Sequence, residues 1–121
     1  FLNTYEINMK EIKAIIRPVK LLKVLEALKE IKTLPGITIS EIIGFGKSEI
    51  NTKDIKIIDD KILSIPRTKL EIVVDDSMVD EVLKIIQKAA HTGNSGDGKI
   101  FVSKVDEVLK IRTNERSKIA I

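Results

Sequence analysis

The sequence lacks cysteine and tryptophan, has a single histidine and contains few aromatic residues, which make up 3% of its 121 residues. The absence of cysteine excludes disulfide bonds, thiolate metal sites and a cysteine nucleophile. The single histidine, His91, excludes a zinc site with several histidine ligands and gives a Ser–His–Asp triad only one possible base. Because aromatic side chains are scarce, the core must be aliphatic, with isoleucine as its main residue.

Charges of both signs are mixed along the whole chain. The 21 lysine and arginine residues and the 18 aspartate and glutamate residues leave a net charge of +3. Nucleic-acid binders usually concentrate their cations on one face and stack bases on aromatic side chains, and the sequence has neither feature. No apolar run approaches the roughly 20 residues of a membrane span, and no basic and apolar leader is found. We therefore expect a cytoplasmic protein that does not bind nucleic acid and is not an integral membrane protein.

The length and the 43% apolar fraction predict a single globular domain. We place it at residues 9–121 and interpret residues 1–8 as an N-terminal extension or a remnant of expression. Apolar residues at period two predict five strands, at 10–17, 37–45, 68–74, 99–104 and 108–112. Spacings of three and four predict helices at 21–31 and 78–90, the second capped by Asp75, Asp76 and Ser77.

The order β-α-β-β-α-β followed by a tail strand is that of an α+β, ferredoxin-like fold. Two helices cover one face of such a sheet. The other face, which carries Ile15 and Val73, needs a different cover, and self-association is the simplest one.

The connection between the second and third predicted strands, residues 46–64, is much longer than an ordinary hairpin loop. It mixes four cations and four anions with several isoleucines. One interpretation is an extended hairpin made of two extra strands. The other is a projecting loop that meets a partner, because long loops on rigid scaffolds usually carry function.

Residues 92–99, which we call the glycine-rich loop, contain three glycines and end in Lys99. Successive backbone N–H groups can turn toward a common centre there and bind an anion, with Lys99 as an added charge. The segment 93–99 also fits the Walker A string, but the predicted order helix–loop–strand is the reverse of that motif's context. The alternative is a turn that simply needs glycines. Lys110 and Arg112, two apart on the predicted tail strand, are either a solvated pair or a phosphate clamp.

Several segments together resemble the PII nitrogen-regulatory signalling family. They are MKEIKAIIRP at 9–18, GFG at 44–46, Pro66 followed by KLEIVV at 69–74, Thr92-Gly93 followed by GDGKIFV at 96–102, and IRT at 111–113. The resemblance covers residues 9–121. It implies a non-enzymatic homotrimer that binds ATP or ADP, with Mg²⁺ accompanying ATP, in the clefts between subunits. It also implies a T-loop, here 46–64, that docks on an ammonium transporter or on an enzyme or regulator of nitrogen metabolism.

The resemblance also implies a set of nucleotide-site residues. Ile15, Thr38, Glu71 and Val73 would surround the adenine, with Gly36 nearby. The approach to the T-loop would be Gly44, Phe45 and Gly46, and the phosphates would lie against Gly96, Asp97, Gly98 and Lys99. Lys110, Ile111 and Arg112 would reach the site from the neighbouring subunit.

The sequence departs from the family pattern mainly in the T-loop. Lys47 and Ser48 replace an arginine–glutamine pair, and Arg67 replaces a lysine. Asp60 stands where a modifiable tyrosine is usual. We therefore expect weak or absent 2-oxoglutarate binding and no nucleotidylylation of this loop. The alternatives are a PII-fold regulator of another transporter or of carbon metabolism, or a slow ATPase.

Overall fold

The computed structural model of the chain describes residues 8–45, 56–58 and 62–121. The predicted extension at 1–8 therefore lies almost wholly outside the described residues. The same holds for most of the T-loop, including the predicted site residues Gly46, Lys47 and Ser48, and for Asp60.

The described chain forms five strands and two helices. They are β1 Met9–Ile16, α1 Leu21–Leu28, β2 Thr38–Gly44, β3 Lys56–Ile58, β4 Ile62–Asp75, α2 Val79–Ala90 and β5 Lys99–Val105. The principal strands lie in the order β2-β4-β1-β5 and all their pairings are antiparallel. The predicted α+β, ferredoxin-like order is confirmed. None of the helices in the described ranges is long and apolar enough to cross a membrane.

The core lies between one face of the sheet and the two helices. Ile12 and Ala14 of β1 face Ile72 and Leu70 of β4 in the pairing register, and all four side chains are buried. The helices add Val24, Leu28, Val82 and Ile86 to this aliphatic cluster. The predicted alternation is thus confirmed in both central strands. The opposite face, which we call the open face, carries Ile15 and Val73, which are half-buried in the single chain.

Helix α2 begins where the sequence predicted a cap. A short 3₁₀ turn, Asp76–Met78, leads into the helix, and the Asp75 carboxylate accepts a hydrogen bond from the Ser77 backbone N–H at 3.1 Å. Helix α1 ends at Leu28, three residues before the predicted end. The N–H of Ile31 donates to the carbonyl of Leu28, so the chain tightens into a turn while Ile31 still packs on the core.

Strand β4 begins at Ile62, six residues before the predicted start at Thr68. Pro66 lies inside this added stretch, although proline cannot donate a ladder hydrogen bond. However, β1 pairs with β4 only from Thr68 onward, so Pro66 lies where β4 has one neighbour, opposite Ile43 of β2. Edge-like positions of this kind accept proline. The start of β4 also pairs with β3, so residues 56–58 and 62–64 form a short hairpin. It consists of one extra strand and an extension of β4, and not of the two extra strands of the hairpin interpretation.

The predicted tail strand at 108–112 is wrong. The chain reverses direction there: the N–H of Lys110 donates to the Glu115 carbonyl, and the N–H of Asn114 donates to the Lys110 carbonyl, each at 2.8 Å. Asn114 has φ +64°, a left-handed conformation that asparagine tolerates better than most residues. Leu109 and Arg116 form a single isolated bridge across this turn. Lys110 and Arg112 therefore belong to a turn and not to a strand.

Candidate functional site

The glycine-rich loop connects the end of α2 to the start of β5. Its three glycines, Gly93, Gly96 and Gly98, all have positive φ, at +91°, +96° and +97°. Residues with a Cβ rarely adopt this conformation, so the backbone path of the loop depends on glycine. Both interpretations of the loop, the anion-binding concavity and the plain turn, require glycines at these positions.

The loop forms one wall of a cleft of about 660 Å³ on the open face. The other walls come from the ends of the neighbouring strands, since Ile15 of β1 pairs with Lys99 of β5. Eight predicted site residues line the cleft: Ile15, Gly44, Phe45, Arg67, Gly96, Asp97, Gly98 and Lys99. The fold thus brings an apolar surface, a glycine-rich backbone and two cations together in one place.

The Asp97 side chain is turned toward its own loop. Its Oδ2 accepts hydrogen bonds from the backbone N–H groups of Thr92 at 2.8 Å and Gly93 at 2.9 Å. Its Oδ1 accepts from the Thr92 hydroxyl and from Nε of Arg17, the latter at 3.1 Å. A bound anion would therefore meet the backbone of Asp97 and not its carboxylate.

These contacts keep the Asp97 carboxylate ionised. Partial burial alone would raise the pKa of Asp97, but the hydrogen bonds from Thr92, Gly93 and Arg17 outweigh it and hold this pKa far below its ordinary value of 3.8. The negative charge is shared among several donors in a small volume. It therefore repels an incoming anion much less than an unpaired carboxylate would.

Two arginines approach the loop from the sheet side. A Cβ placed on Gly96 would lie 3.1 Å from Nη2 of Arg67 and 3.2 Å from Nη2 of Arg17. Arg67 also donates from Nη1 to the Pro66 carbonyl at 2.9 Å. Together with Lys99, these guanidinium groups make this end of the cleft positive.

Sequence reasoning missed Arg17. It directly follows β1 and precedes Pro18, and nothing in its local pattern separates it from the other cations of the chain. Its place beside the loop follows from the pairing of Ile15 with Lys99. The useful signal would have been the strand register, which a single sequence does not provide.

Three predicted adenine contacts lie further along the open face. Thr38 of β2 pairs with Glu71 of β4, and Val73 follows two residues later on the same face. Glu71 also forms an ion pair with Lys69 at 3.5 Å. Gly36 lies just before β2, where an added methyl group would meet no atom within 4 Å. None of these four residues lines the cleft within the described single chain.

The predicted contacts Lys110, Ile111 and Arg112 lie in the C-terminal turn, where Ile111 is 98% exposed. They do not line the cleft of their own chain in the part that the structure describes. Their predicted role is a contribution to a neighbouring subunit's site, and it stays a prediction.

Comparison with known proteins identifies the family. Residues 9–115 match the family described as "Nitrogen regulatory protein P-II". A protein of that name from Azospirillum brasilense is 46% identical over 113 residues, covering 93% of this chain and all of the relative. "Nitrogen regulatory protein P-II 2" from Methanothermobacter thermautotrophicus is 50% identical over 115 residues, covering 95% of this chain and 99% of the relative. The crystal structure of Arabidopsis thaliana PII bound to citrate superposes with a TM-score of 0.77 at 36% identity, covering 94% of this chain and 92% of that one. The chain belongs to the P-II family of nitrogen regulatory signalling proteins.

Proposed function

We propose that this protein is a non-enzymatic regulator that binds ATP or ADP in the cleft and reports the bound nucleotide to a protein partner. The observation that carries the proposal is the meeting of the glycine-rich loop with Lys99 beside apolar Ile15. Backbone N–H groups and a lysine suit phosphate oxygens, and an aliphatic surface suits an adenine ring.

In this proposal the phosphates and the adenine of the nucleotide are bound by different parts of the fold. The phosphates lie against Gly96, Gly98 and Lys99, with Mg²⁺ held through the ATP phosphates. The adenine lies on the open face near Ile15, with Thr38, Glu71 and Val73 as further contacts and Gly36 close by. Gly44 and Phe45 line the cleft and directly precede the segment 46–64 in the chain, so phosphate occupancy can change the surface that this segment offers to a partner. The proposed partner is an ammonium transporter or an enzyme or regulator of nitrogen metabolism.

Replacing Lys99 with alanine is expected to weaken ATP and ADP binding about tenfold or more. A charge-assisted hydrogen bond is typically worth about 1.5–3 kcal/mol. Lys99 lines the cleft at the end of the glycine-rich loop. Isothermal titration calorimetry measures the change. Lys104→Ala is the matched control, because Lys104 lies at the other end of β5 and does not line the cleft. A folded Lys99→Ala protein with unchanged nucleotide affinity would refute the site.

We further propose that the protein is a homotrimer. The open face carries half-buried Ile15 and Val73, and Phe101 on β5 is 51% exposed. Burying such surface is worth about 25 cal/mol per Å², which favours an assembly that covers this face. It would also bring Lys110 and Arg112 to a neighbour's cleft. Sedimentation equilibrium should give three times the chain mass, and a stable monomer at micromolar concentration would contradict the proposal.

Binding of 2-oxoglutarate is expected to be weak or absent. In the family that the sequence resembles, Mg²⁺ on ATP also takes a glutamine oxygen and the 2-oxoacid. Mg²⁺ requires near-octahedral ligands at about 2.0–2.1 Å, and Ser48 is shorter than glutamine. Arg67 lies in the cleft and can pair with a carboxylate, but its planar fork needs different room from a lysine. Calorimetry with MgATP present tests this, and micromolar 2-oxoglutarate affinity would show the expectation to be wrong.

Nucleotidylylation of the segment 46–64 is not expected, because Asp60 offers no hydroxyl group where a modifiable tyrosine is usual. Regulation would then rest on the competition between ATP and ADP for the cleft.

A further inference from the structure

The Asp97 carboxylate is an unusual group to find in a loop suited to phosphate. Within the described residues, its two oxygens accept four hydrogen bonds. Three of the donors belong to Thr92 and Gly93, at the start of the glycine-rich loop. The carboxylate therefore closes the loop on itself, from residue 97 back to residues 92 and 93, and makes the backbone turn.

The fourth donor comes from outside the loop. Arg17 follows β1, and its Nε lies 3.1 Å from Oδ1 of Asp97 while its Nη2 lies 2.8 Å from the Ser95 carbonyl oxygen. The Arg17 side chain is only 16% exposed. One guanidinium group thus joins the middle of the loop and its closing carboxylate to the end of a central strand.

We propose that Arg17 is a positioning residue for the nucleotide site, which holds the glycine-rich loop in its phosphate-binding shape by bonding to Asp97 and Ser95. The proposal rests on the proposed nucleotide binding. It assigns Arg17 an action through the loop backbone and not a contact with phosphate. The planar fork matters here, because Nε and Nη2 serve two acceptors at once and a lysine ammonium cannot reproduce that geometry.

Ordering the loop in advance has a direct consequence for affinity. The three positive-φ glycines leave many other backbone conformations open to this segment. A loop that is already ordered does not lose this freedom when the ligand binds. Loss of the Arg17 contacts should therefore weaken nucleotide binding without removing any group that touches the nucleotide.

A double-mutant cycle separates positioning from direct contact. Arg17→Ala should weaken ADP binding about tenfold, the usual scale for charge-assisted hydrogen bonds. Asp97→Asn should also weaken ADP binding about tenfold. Whichever way the amide is turned, its NH₂ group faces some of the groups that now donate hydrogen bonds to the Asp97 carboxylate, and two donors cannot bond to each other. In the Asp97→Asn protein, Arg17→Ala should then cost much less ADP affinity than in the unsubstituted protein.

Arg17→Lys keeps the charge but should weaken ADP binding nearly as much as Arg17→Ala. The control is Lys10→Ala, which removes an ion pair with Asp76 at the other end of β1 and should leave ADP affinity unchanged.

Amide hydrogen exchange of the ligand-free protein gives the second readout. The Thr92 and Gly93 amides should exchange about tenfold faster in Arg17→Ala, while the amides of β1 and β4 keep their protection. The proposal is overturned if these two amides exchange at the unsubstituted rate. It is also overturned if Arg17→Ala costs as much affinity with Asn at position 97 as with Asp, because the effect of Arg17 would then not pass through the Asp97 carboxylate. If the unsubstituted protein binds neither ATP nor ADP, the proposed function fails, whereas the ordering of the loop by Arg17 is still decided by the exchange rates.

Discussion

Replacing Gly98 with alanine is expected to lower the free energy of unfolding by roughly 3 kcal/mol or more and to abolish measurable nucleotide binding. A Cβ at this position would lie 1.8 Å from the backbone carbonyl oxygen of Ile15 and 2.9 Å from its carbon. Gly98 also has φ +97°, which disfavours any residue with a Cβ. The clash is with the backbone of a central strand, so a side-chain rotation cannot relieve it. Either the start of β5 separates from β1 or the loop changes its path, and both movements displace Lys99.

Two other glycines make matched controls for this substitution. Gly93→Ala shares the positive φ, but the nearest atom to its added methyl group is in the His91 ring at 3.7 Å, so it should cost only about 1–2 kcal/mol. Gly36→Ala has open space and no positive φ, and it should be neutral or stabilise the fold by about 0.4–1 kcal/mol. Urea unfolding measures all three. Equal losses for Gly98→Ala and Gly93→Ala would show that the contact with Ile15 does not determine the effect.

The central strands were predictable because each has one buried face. Ile12, Ala14 and Ile16 alternate with half-buried residues, as do Leu70, Ile72 and Val74. A shift of one residue would turn each apolar set to the wrong face, so the pattern fixes both the strand and its register. The glycine-rich loop was predictable for a related reason: its composition matches a backbone need that other residues meet poorly.

The misplaced elements depend on contacts that local patterns do not contain. The first residues of β4 pair with β2 and β3, and these pairings are tertiary contacts that the local sequence does not specify. The apolar residues Val108, Leu109 and Ile111 resemble a strand, but within the described residues this segment forms only the isolated Leu109–Arg116 bridge. Thr113 and Asn114 turn the chain back. Arg17 belongs to the site only through the register of β1 and β5. In each case the sequence shows what a segment could form, and its neighbours decide what it does form.

Replacing Leu70 with alanine is expected to lower the free energy of unfolding by about 2–5 kcal/mol. Leu70 is fully buried in the centre of β4, where it faces Ala14 of β1 on one side and Ile39 of β2 on the other. The shortened side chain leaves a cavity between the sheet and the helices, and the strand cannot shift to fill it because both neighbours hold its register. Urea unfolding at one fixed protein concentration measures the loss, because association would otherwise add a contribution that depends on concentration.

Val19→Ala is the control, since Val19 is 80% exposed and its truncation should change stability by about 0.5 kcal/mol or less. Leu70 lies on the helix-covered face of β4, whereas the cleft opens on the other face and is reached by Arg67 of the same strand. The folded Leu70→Ala protein should therefore keep its ADP affinity while it loses stability, the opposite of the pattern expected for Lys99→Ala. If Leu70→Ala instead lowered the free energy of unfolding no more than Val19→Ala, Leu70 would not lie on the face of β4 that packs against the helices. The assignment of the opposite, open face to the nucleotide would then fail as well.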